Sequence, residues 1–181
     1  DTIVLEACEN YDSFLSFFPT IAVILDIEAD HLDYFKDLNA VKASFRQFAE
    51  LVPADGWVIA NADDENTMDT LDGLDRQVMT FGLSDGADVR AVNIITNGAQ
   101  TEFDVVHGGA LFAHLELRVP GVHNVMNALA AAAAAIVIGI SPTAVKYGLA
   151  GFSGANRRFE FKGKYNGADV YDDYAHHPGE L

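Results

Sequence analysis

Cysteine and basic residues are scarce in this chain of 181 residues. The single cysteine, Cys8, rules out an intrachain disulfide, which fits a reducing compartment. Lysine and arginine total 11 against 27 acidic residues, for a formal net charge of −16. This balance argues against nucleic acid and anionic membranes as partners, because both need clustered basic side chains. The longest apolar stretch, Ala128 to Ile138, is too short to span a bilayer.

Hydrophobic residues are abundant, and at 50% of the sequence they are ample for a packed core. The length suits one domain, or one domain with part of another. The chain starts at Asp1 within a strand-like pattern and stops just after a histidine-rich turn. We therefore expect it to be a piece of a longer protein.

The apolar run from Ile21 to Leu25 predicts a strand covered on both faces, as in a parallel sheet. Closely spaced ionisable residues follow this run: Asp26, Glu28, Asp30, His31 and Asp33. Ligands bind beyond the carboxyl ends of parallel strands, and carboxylates with an imidazole suit a divalent cation such as Mg²⁺. The alternative is a solvated acidic loop.

A second apolar run, Thr2 to Leu5, predicts another short buried strand with Glu6 at its carboxyl end. If the two strands are parallel neighbours, Glu6 and His31 lie on one rim of the sheet. The alternative for Glu6 is an exposed charge at a strand end. Cys8 is interpreted as a small core residue, since no partner base is identifiable for a nucleophile.

Helical and strand patterns alternate in the next part of the chain. Apolar spacing predicts a helix over Asn39–Leu51, and strands are predicted at Trp57–Ala60 and Val78–Phe81, with Asp64 able to cap a helix between them. This order predicts an α/β fold with a mostly parallel sheet and flanking helices.

A different pattern follows from residue 87, where β-rich runs are separated by hairpin-turn dipeptides. The runs are Val89–Thr96, Thr101–Val106 and Leu111–Val119, separated by Asn97-Gly98 and Gly108-Gly109. They predict an antiparallel meander at the edge of the sheet or beside it.

An alanine-rich helix is predicted over Val125–Ile138, with Asn124 as its N-cap. His123, Asn124 and Asn127 cluster at its start, where free N–H groups favour anions. Capping alone is the alternative. Ser141-Pro142 opens a further helix that runs to about Leu149.

The glycine-rich break at Gly151–Gly154 predicts a domain boundary, dividing the chain into residues 1–153 and 154–181. Beyond it, Arg157 and Arg158 suit phosphate or carboxylate, the alternative being a surface salt-bridge pair. Val170-Tyr171 predicts a strand. It is followed by carboxylates and two histidines: Asp172, Asp173, His176 and His177.

Taken in order, six segments resemble the ATP-dependent Mur ligases: LEACENYDSFL, DIEADHLDYF, IANADD, PGVHNVMNALAA, GANRRFEF and DDYAHHP. The resemblance covers nearly the whole chain. It implies that residues 1–153 are most of the family's central ATP-binding domain. Residues 154–181 would then begin its Rossmann-like C-terminal domain.

The resemblance is greatest to the members that join L-alanine to UDP-N-acetylmuramate through an acyl phosphate, in cytoplasmic peptidoglycan precursor synthesis. It implies ATP and Mg²⁺ as cofactors. The alternatives are a murein tripeptide ligase, a folylpolyglutamate-type ligase, or a catalytically silent nucleotide-binding module.

The resemblance also implies roles for individual residues. Glu6 and His31 match the magnesium-coordinating pair, and both are expected to act in catalysis. His176, with His177, is expected near the acyl phosphate. The residues expected to contact the nucleotide are His123, Asn124, Asn127, Arg158 and Asp173.

The sequence departs from the family pattern in two places. The phosphate loop, G-x-x-G-K-[S/T], is expected before Glu6 and is not found in these residues. Without its lysine and hydroxyl, we expect this piece alone not to hydrolyse ATP. Second, the modified lysine of several relatives has no clear counterpart, because the comparable place falls near Phe45 and Arg46.

Overall fold

The computed structural model describes residues 2–98 and 100–175. Its centre is a six-stranded sheet whose strands lie side by side in chain order, with β1 at one edge. Those strands are β1 (Ile21–Ile24), β2 (Trp57–Asn61), β3 (Gln77–Gly82), β4 (Val89–Asn97), β5 (Gln100–His107) and β6 (Ala110–Leu117). β1 to β3 are parallel, and β4 starts parallel to β3. The predicted α/β fold is therefore confirmed.

The antiparallel meander is confirmed as a continuation of the same sheet, because β4 pairs with β5 and β5 with β6 in antiparallel register. Both predicted turns are present. Gly98, Gly108 and Gly109 have φ angles of 62°, 59° and 77°, in the left-handed region that glycine adopts without strain.

In the described part of the chain, four α-helices flank the sheet: α1 (Leu38–Glu50), α2 (Glu65–Leu71), α3 (Val122–Val137) and α4 (Pro142–Ala150). A 3-10 helix, Asn10–Ser16, precedes β1. Side chains cap three of them by accepting a backbone N–H. Asp37 accepts from Ala40 in α1, Asp64 from Thr67 in α2, and Ser141 from Ala144 in α4. Capping by Asp64 and Ser141 was predicted from the sequence and is confirmed.

Apolar side chains cover both faces of the sheet. In β2, Val58 and Ala60 join a core with α1, which contributes Val41 and Phe48. Ile59, between them, joins a second core with α3 on the opposite face. Burial on both faces explains why β2 has a continuous apolar sequence rather than an alternating one. In β1, Ala22 and Ile24 are buried on one face but Val23 on the other is 41% exposed, so the predicted cover on both faces of this strand is wrong.

The amino-terminal run Thr2–Leu5 does not form the predicted strand. Residues 2–9 have no regular secondary structure, and the side chains of Ile3 and Val4 are 80% and 91% exposed. Cys8, expected in the core, is exposed as well. A short apolar run gains stability as a strand only where a neighbouring strand and a covering layer receive its side chains, and these residues remain open to solvent.

Helix α3 begins at Val122, three residues earlier than predicted, and its N-cap is Gly121 rather than Asn124. Gly121 has a φ of 95°, a backbone conformation that residues with a side chain rarely adopt, and a Cβ there would lie 2.4 Å from the His123 ring, which would have to move. Asn124 is already inside the first turn. Its side-chain amide donates to the carbonyl of Pro120 at 2.6 Å instead of capping an N–H group.

Residues 160–172 form a separate two-stranded antiparallel sheet of β7 (Glu160–Tyr165) and β8 (Ala168–Asp172). β8 confirms the strand predicted at Val170-Tyr171. The domain boundary at Gly151–Gly154 stays a prediction. Among the described residues, no helix is long and apolar enough to cross a membrane.

The contact of α3 with the sheet gives a test of the core. Leu129 is fully buried there, so Leu129→Ala should lower the free energy of unfolding by about 2–5 kcal/mol, through lost burial and the cavity left behind. Leu111 is 64% exposed on β6, and Leu111→Ala is the matched control, expected to change stability by less than about 0.5 kcal/mol. Urea denaturation compares the two; equal losses would contradict the assigned core.

Candidate functional site at the carboxyl edge of the parallel strands

The loops after β1 and β2 meet at one edge of the sheet, because the two strands are parallel with Ile24 opposite Ala60. Side chains that follow β2 hold the loop that follows β1. The Asn61 amide donates to the carbonyl of Leu25 at 2.9 Å, and the Asn66 amide donates to that of Ile27 at 2.9 Å. The Ile27 N–H donates to the Asp64 carboxylate at 3.1 Å. The loop that carries His31 is thus fixed by residues of the neighbouring connection.

His31 stands in a tight turn within this loop, with a φ of 53°. Its N–H donates to the Asp30 carboxylate at 2.6 Å, and its carbonyl accepts the N–H groups of Tyr34 and Phe35, both at 2.8 Å. These hydrogen bonds hold the imidazole at the edge of the sheet, where 28% of the His31 side chain is exposed.

Two carboxylates approach the His31 ring. Its Nε2 atom lies 3.4 Å from Oε1 of Glu9 and 3.9 Å from Oδ2 of Asp30. One candidate ligand atom from each of the three residues lies within 4.8 Å of the others, an arrangement that could hold a metal ion. Among residues 2–98 and 100–175, this is the group of histidine and acidic side chains that lie close enough together to hold a metal ion.

Glu9, rather than Glu6, is the amino-terminal carboxylate beside His31. Glu6 lies on the exposed amino-terminal segment, because the strand expected to bring it to the edge does not form. The chain turns just after Glu9, where the Asp12 N–H donates to the Glu9 carbonyl at 2.8 Å. Local sequence did not distinguish the two glutamates, since both follow the same apolar run.

The segment that carries Glu9 is tied to the His31 loop and to α1. Tyr34 donates its hydroxyl to Oδ2 of Asp12 at 2.5 Å, and Ser44 donates its own to Oδ1. The hydrogen bond to Asp12 raises the pKa of Tyr34, so the hydroxyl remains protonated and donates. Asp12, Tyr34 and Ser44 also line an open cleft of about 420 Å³.

Two further carboxylates at this edge, Asp26 and Asp63, have pKa values shifted in opposite directions. Partial burial, with the nearby charges of Glu28, Asp64 and Glu9, raises the pKa of Asp26. For Asp63, partial burial acts in the same direction but is outweighed by hydrogen bonds from Leu83 and Ser84, and its pKa is lowered. The Leu83 and Ser84 N–H groups lie 2.5 and 3.2 Å from the Asp63 carboxylate.

Three of the residues expected to contact the nucleotide, His123, Asn124 and Asn127, lie at the start of α3. β6 runs in the same direction as β1 to β3, through two antiparallel pairings, so α3 begins on the carboxyl side of the sheet. His123 and Asn127 are exposed there. The structure brings His123 and Asn124 together, with 3.0 Å between the Asn124 amide nitrogen and the ring Nε2.

Arg158 and Asp173 belong to the β7–β8 hairpin and its flanks. Asp173 accepts the N–H groups of Phe159 and Ala175, both at 2.7 Å, which closes the two ends of the hairpin. Next to Arg158, Arg157 stacks on the Tyr174 ring at 4.6 Å. His176 and His177 lie outside the described residues.

The fold is an α/β domain with a polar site beyond the carboxyl ends of its parallel strands. The family model of the Mur ligase middle domain matches residues 1–135. The chain therefore belongs to the Mur ligase family.

Individual relatives are consistent with this assignment. The UDP-N-acetylmuramate–L-alanine ligase of Caldanaerobacter subterraneus subsp. tengcongensis is 46% identical over 179 residues, which cover 98% of this chain and 39% of that protein. MurF from Acinetobacter baumannii matches with a TM-score of 0.81 and 26% identity, over 93% of this chain and 37% of that one. The UDP-N-acetylmuramate-alanine ligase of Thermotoga maritima matches with a TM-score of 0.77 and 30% identity, over 93% of this chain and 38% of that one.

The Asp63 environment predicts a pH-dependent contribution to stability. Because its folded-state pKa is lowered, this contribution is present above the unfolded-state pKa of about 4 and is lost as the pH falls through the folded value. Asp63→Asn should therefore be less stable than the wild type at pH 7. This difference in stability should shrink towards pH 2–3, which lies below the ordinary aspartate pKa of about 4.

Asp55→Asn is the matched control, since Asp55 is exposed in the turn before β2 and its replacement should change stability by less than about 0.5 kcal/mol. Thermal unfolding from pH 7 to pH 2–3, chosen to bracket the ordinary pKa of about 4, gives the measurement. A constant difference between wild type and Asp63→Asn across that range would contradict the role assigned to the Leu83 and Ser84 N–H groups.

Proposed function

We propose that the full-length protein containing this chain joins L-alanine to UDP-N-acetylmuramate with ATP, in cytoplasmic peptidoglycan precursor synthesis. The observation that carries the proposal is the 46% identity, over 98% of this chain, to a relative named for that reaction. Because this chain spans 39% of that relative's length, the activity is proposed for the longer protein.

The proposed reaction has two bond-forming steps. A carboxylate oxygen of UDP-N-acetylmuramate attacks the γ-phosphorus of ATP, so that an acyl phosphate forms and ADP leaves. The amine of L-alanine then attacks the acyl carbon, the bond to phosphate breaks, and an amine proton is released. Both steps need negatively charged groups held together in a fixed orientation.

The donor set at the edge of the sheet fits a divalent cation. Glu9 and Asp30 offer the hard carboxylate oxygens that Mg²⁺ prefers, and His31 offers a ring nitrogen beside them. We propose that these residues hold Mg²⁺, with Glu6 remaining a predicted ligand. When bound, the ion supplies positive charge against the transferring phosphoryl group.

We propose that the start of α3 meets the nucleotide, with His123, Asn124 and Asn127 contributing contacts. The exposed His123 and Asn127 support this proposal, as does the position of α3 on the same side of the sheet as His31. Arg158 and Asp173 remain proposed nucleotide contacts from the other side of the predicted domain boundary. His176 remains a proposed contributor at the acyl phosphate.

Phosphate release by the full-length protein, with ATP and Mg²⁺, tests the function. Release is expected when UDP-N-acetylmuramate is supplied with L-alanine and not when either is omitted. Release only with the murein tripeptide would assign the protein to the recycling ligases. No release with either acceptor would contradict the proposal and favour a silent module.

The glutamate beside His31 is tested by substitution in the same assay. Glu9→Gln and His31→Ala should each lower kcat by about 100-fold, because each removes a ligand from the charged site. Glu65→Gln, an exposed glutamate at the start of α2, is the control and should leave kcat unchanged. A large loss with Glu6→Gln and none with Glu9→Gln would reverse the assignment of the amino-terminal ligand.

A further inference from the structure

The β7–β8 hairpin has one apolar face and one charged face. Phe161 lies opposite Tyr171 in the register, with 5.5 Å between the two ring centroids. The Phe159 ring stacks on the other side of this pair, 4.5 Å from Tyr171. Because side chains alternate along a strand, Glu160 lies on the opposite face, where Lys162 donates to its carboxylate at 3.1 Å. Such alternation is typical of a sheet with one face buried and the other in water.

The three rings of this aromatic face (Phe159, Phe161 and Tyr171) remain about half open to solvent, although they contact one another. Their exposed fractions are 54%, 54% and 46%. Contiguous exposed apolar surface often marks a contact with another protein surface. A two-stranded hairpin is also only marginally stable in water unless a third strand or a helix covers its apolar face. Both arguments indicate that a further part of the protein covers the aromatic face.

The hairpin lies outside the part of the chain that matches the Mur ligase middle domain. That match ends at residue 135, and the glycine-rich break predicted as a domain boundary, Gly151–Gly154, precedes β7. Although 98% of this chain is matched by the Caldanaerobacter relative, the match covers 39% of that protein. A protein of that length has ample further chain to cover the hairpin. The family resemblance also predicts that residues 154–181 are the start of the next domain.

Charge argues against a second copy of the protein as the cover. Residues 155–175 contain four basic and four acidic side chains, so the net charge of −16 lies on the rest of the chain. Two copies that met through their hairpins would bring these negative charges together, and like charges repel. A segment of the same chain, in contrast, meets the hairpin without the loss of translational freedom that the association of two molecules costs.

We propose that the aromatic face is the inner face of a second hydrophobic core, covered in the full-length protein by the part of the chain that follows residue 181. This inference does not depend on the proposed ligase reaction. It does bear on two of the residues expected at the nucleotide. Asp173 accepts the N–H of Phe159 at 2.7 Å, and Arg158 directly precedes Phe159, so packing of the Phe159 ring also holds the backbone beside both.

Hydroxyl-radical footprinting, read by mass spectrometry, tests the cover without any substrate. We expect Tyr171 to be oxidised several-fold more slowly in the full-length protein than in the 181-residue chain. Tyr147, which is 73% exposed on α4, is the matched control and should be oxidised equally in both proteins. Phe103 is fully buried in the six-stranded sheet, and its protection in the 181-residue chain shows that this chain is folded.

Two outcomes of footprinting would overturn the proposal. Equal oxidation of Tyr171 in the two proteins would mean that the aromatic face is open to solvent in both, or is covered by residues that the shorter chain already contains. Protection of Tyr171 that disappears when the full-length protein is diluted would assign the cover to a second copy.

Phe161→Ala in the full-length protein gives a second test, which does not require the shorter chain to fold. We expect amide hydrogen exchange to become about 100-fold faster in β7, in β8 and in the segment beyond residue 181 that covers them, because a buried aromatic ring is lost. Exchange in β1 and β2 should not change. Tyr147→Ala is the matched control and should leave exchange in β7 and β8 unchanged. Faster exchange in β7 and β8 with no change beyond residue 181 would overturn the proposal.

Discussion

The Asp64 carboxylate is the contact on which the carboxyl edge of the sheet depends. Its Oδ2 atom accepts the N–H and the hydroxyl of Thr67, in the first turn of α2, and the N–H of Ile27, in the loop after β1. Ile27 is fully buried. Without Asp64 its N–H would be an unsatisfied buried donor, which costs about 1–3 kcal/mol. One side chain therefore determines the start of a helix and the path of the loop that leads to His31.

The same edge concentrates negative charge in a chain that already carries a net charge of −16. Asp26, Glu28, Asp64 and Glu9 are close enough that partial burial and mutual repulsion raise the pKa of Asp26. A divalent cation would relieve this repulsion. The electrostatic cost of gathering carboxylates here is consistent with a site that is completed by positive charge from a ligand.

Local patterns predicted the parts of this fold that local physics controls. The position of β1 and the caps Asp64 and Ser141 were predictable, because a run of apolar, β-branched residues and N-capping both involve neighbouring residues. Glu9 was not predictable, since its approach to His31 depends on Phe14 packing against α1, more than thirty residues along the chain. The Asn124 cap failed because Gly121 adopts a backbone conformation that lets the helix begin earlier. The structure therefore places His31 at the predicted edge of the sheet with Glu9 beside it, while the cation pair of Glu6 and His31 stays a prediction.

β1 lies at the edge of the sheet, with Val23 in the strand 41% exposed and Leu25 just after it 43% exposed. Among the described residues, no strand pairs with the outer side of β1, and backbone groups at such an edge can pair with another extended chain. The excess of acidic side chains opposes that encounter, because copies of like charge repel one another. Salt screens this repulsion over about 10 Å at 0.1 M. Added salt therefore weakens the charge repulsion that opposes pairing at this strand edge.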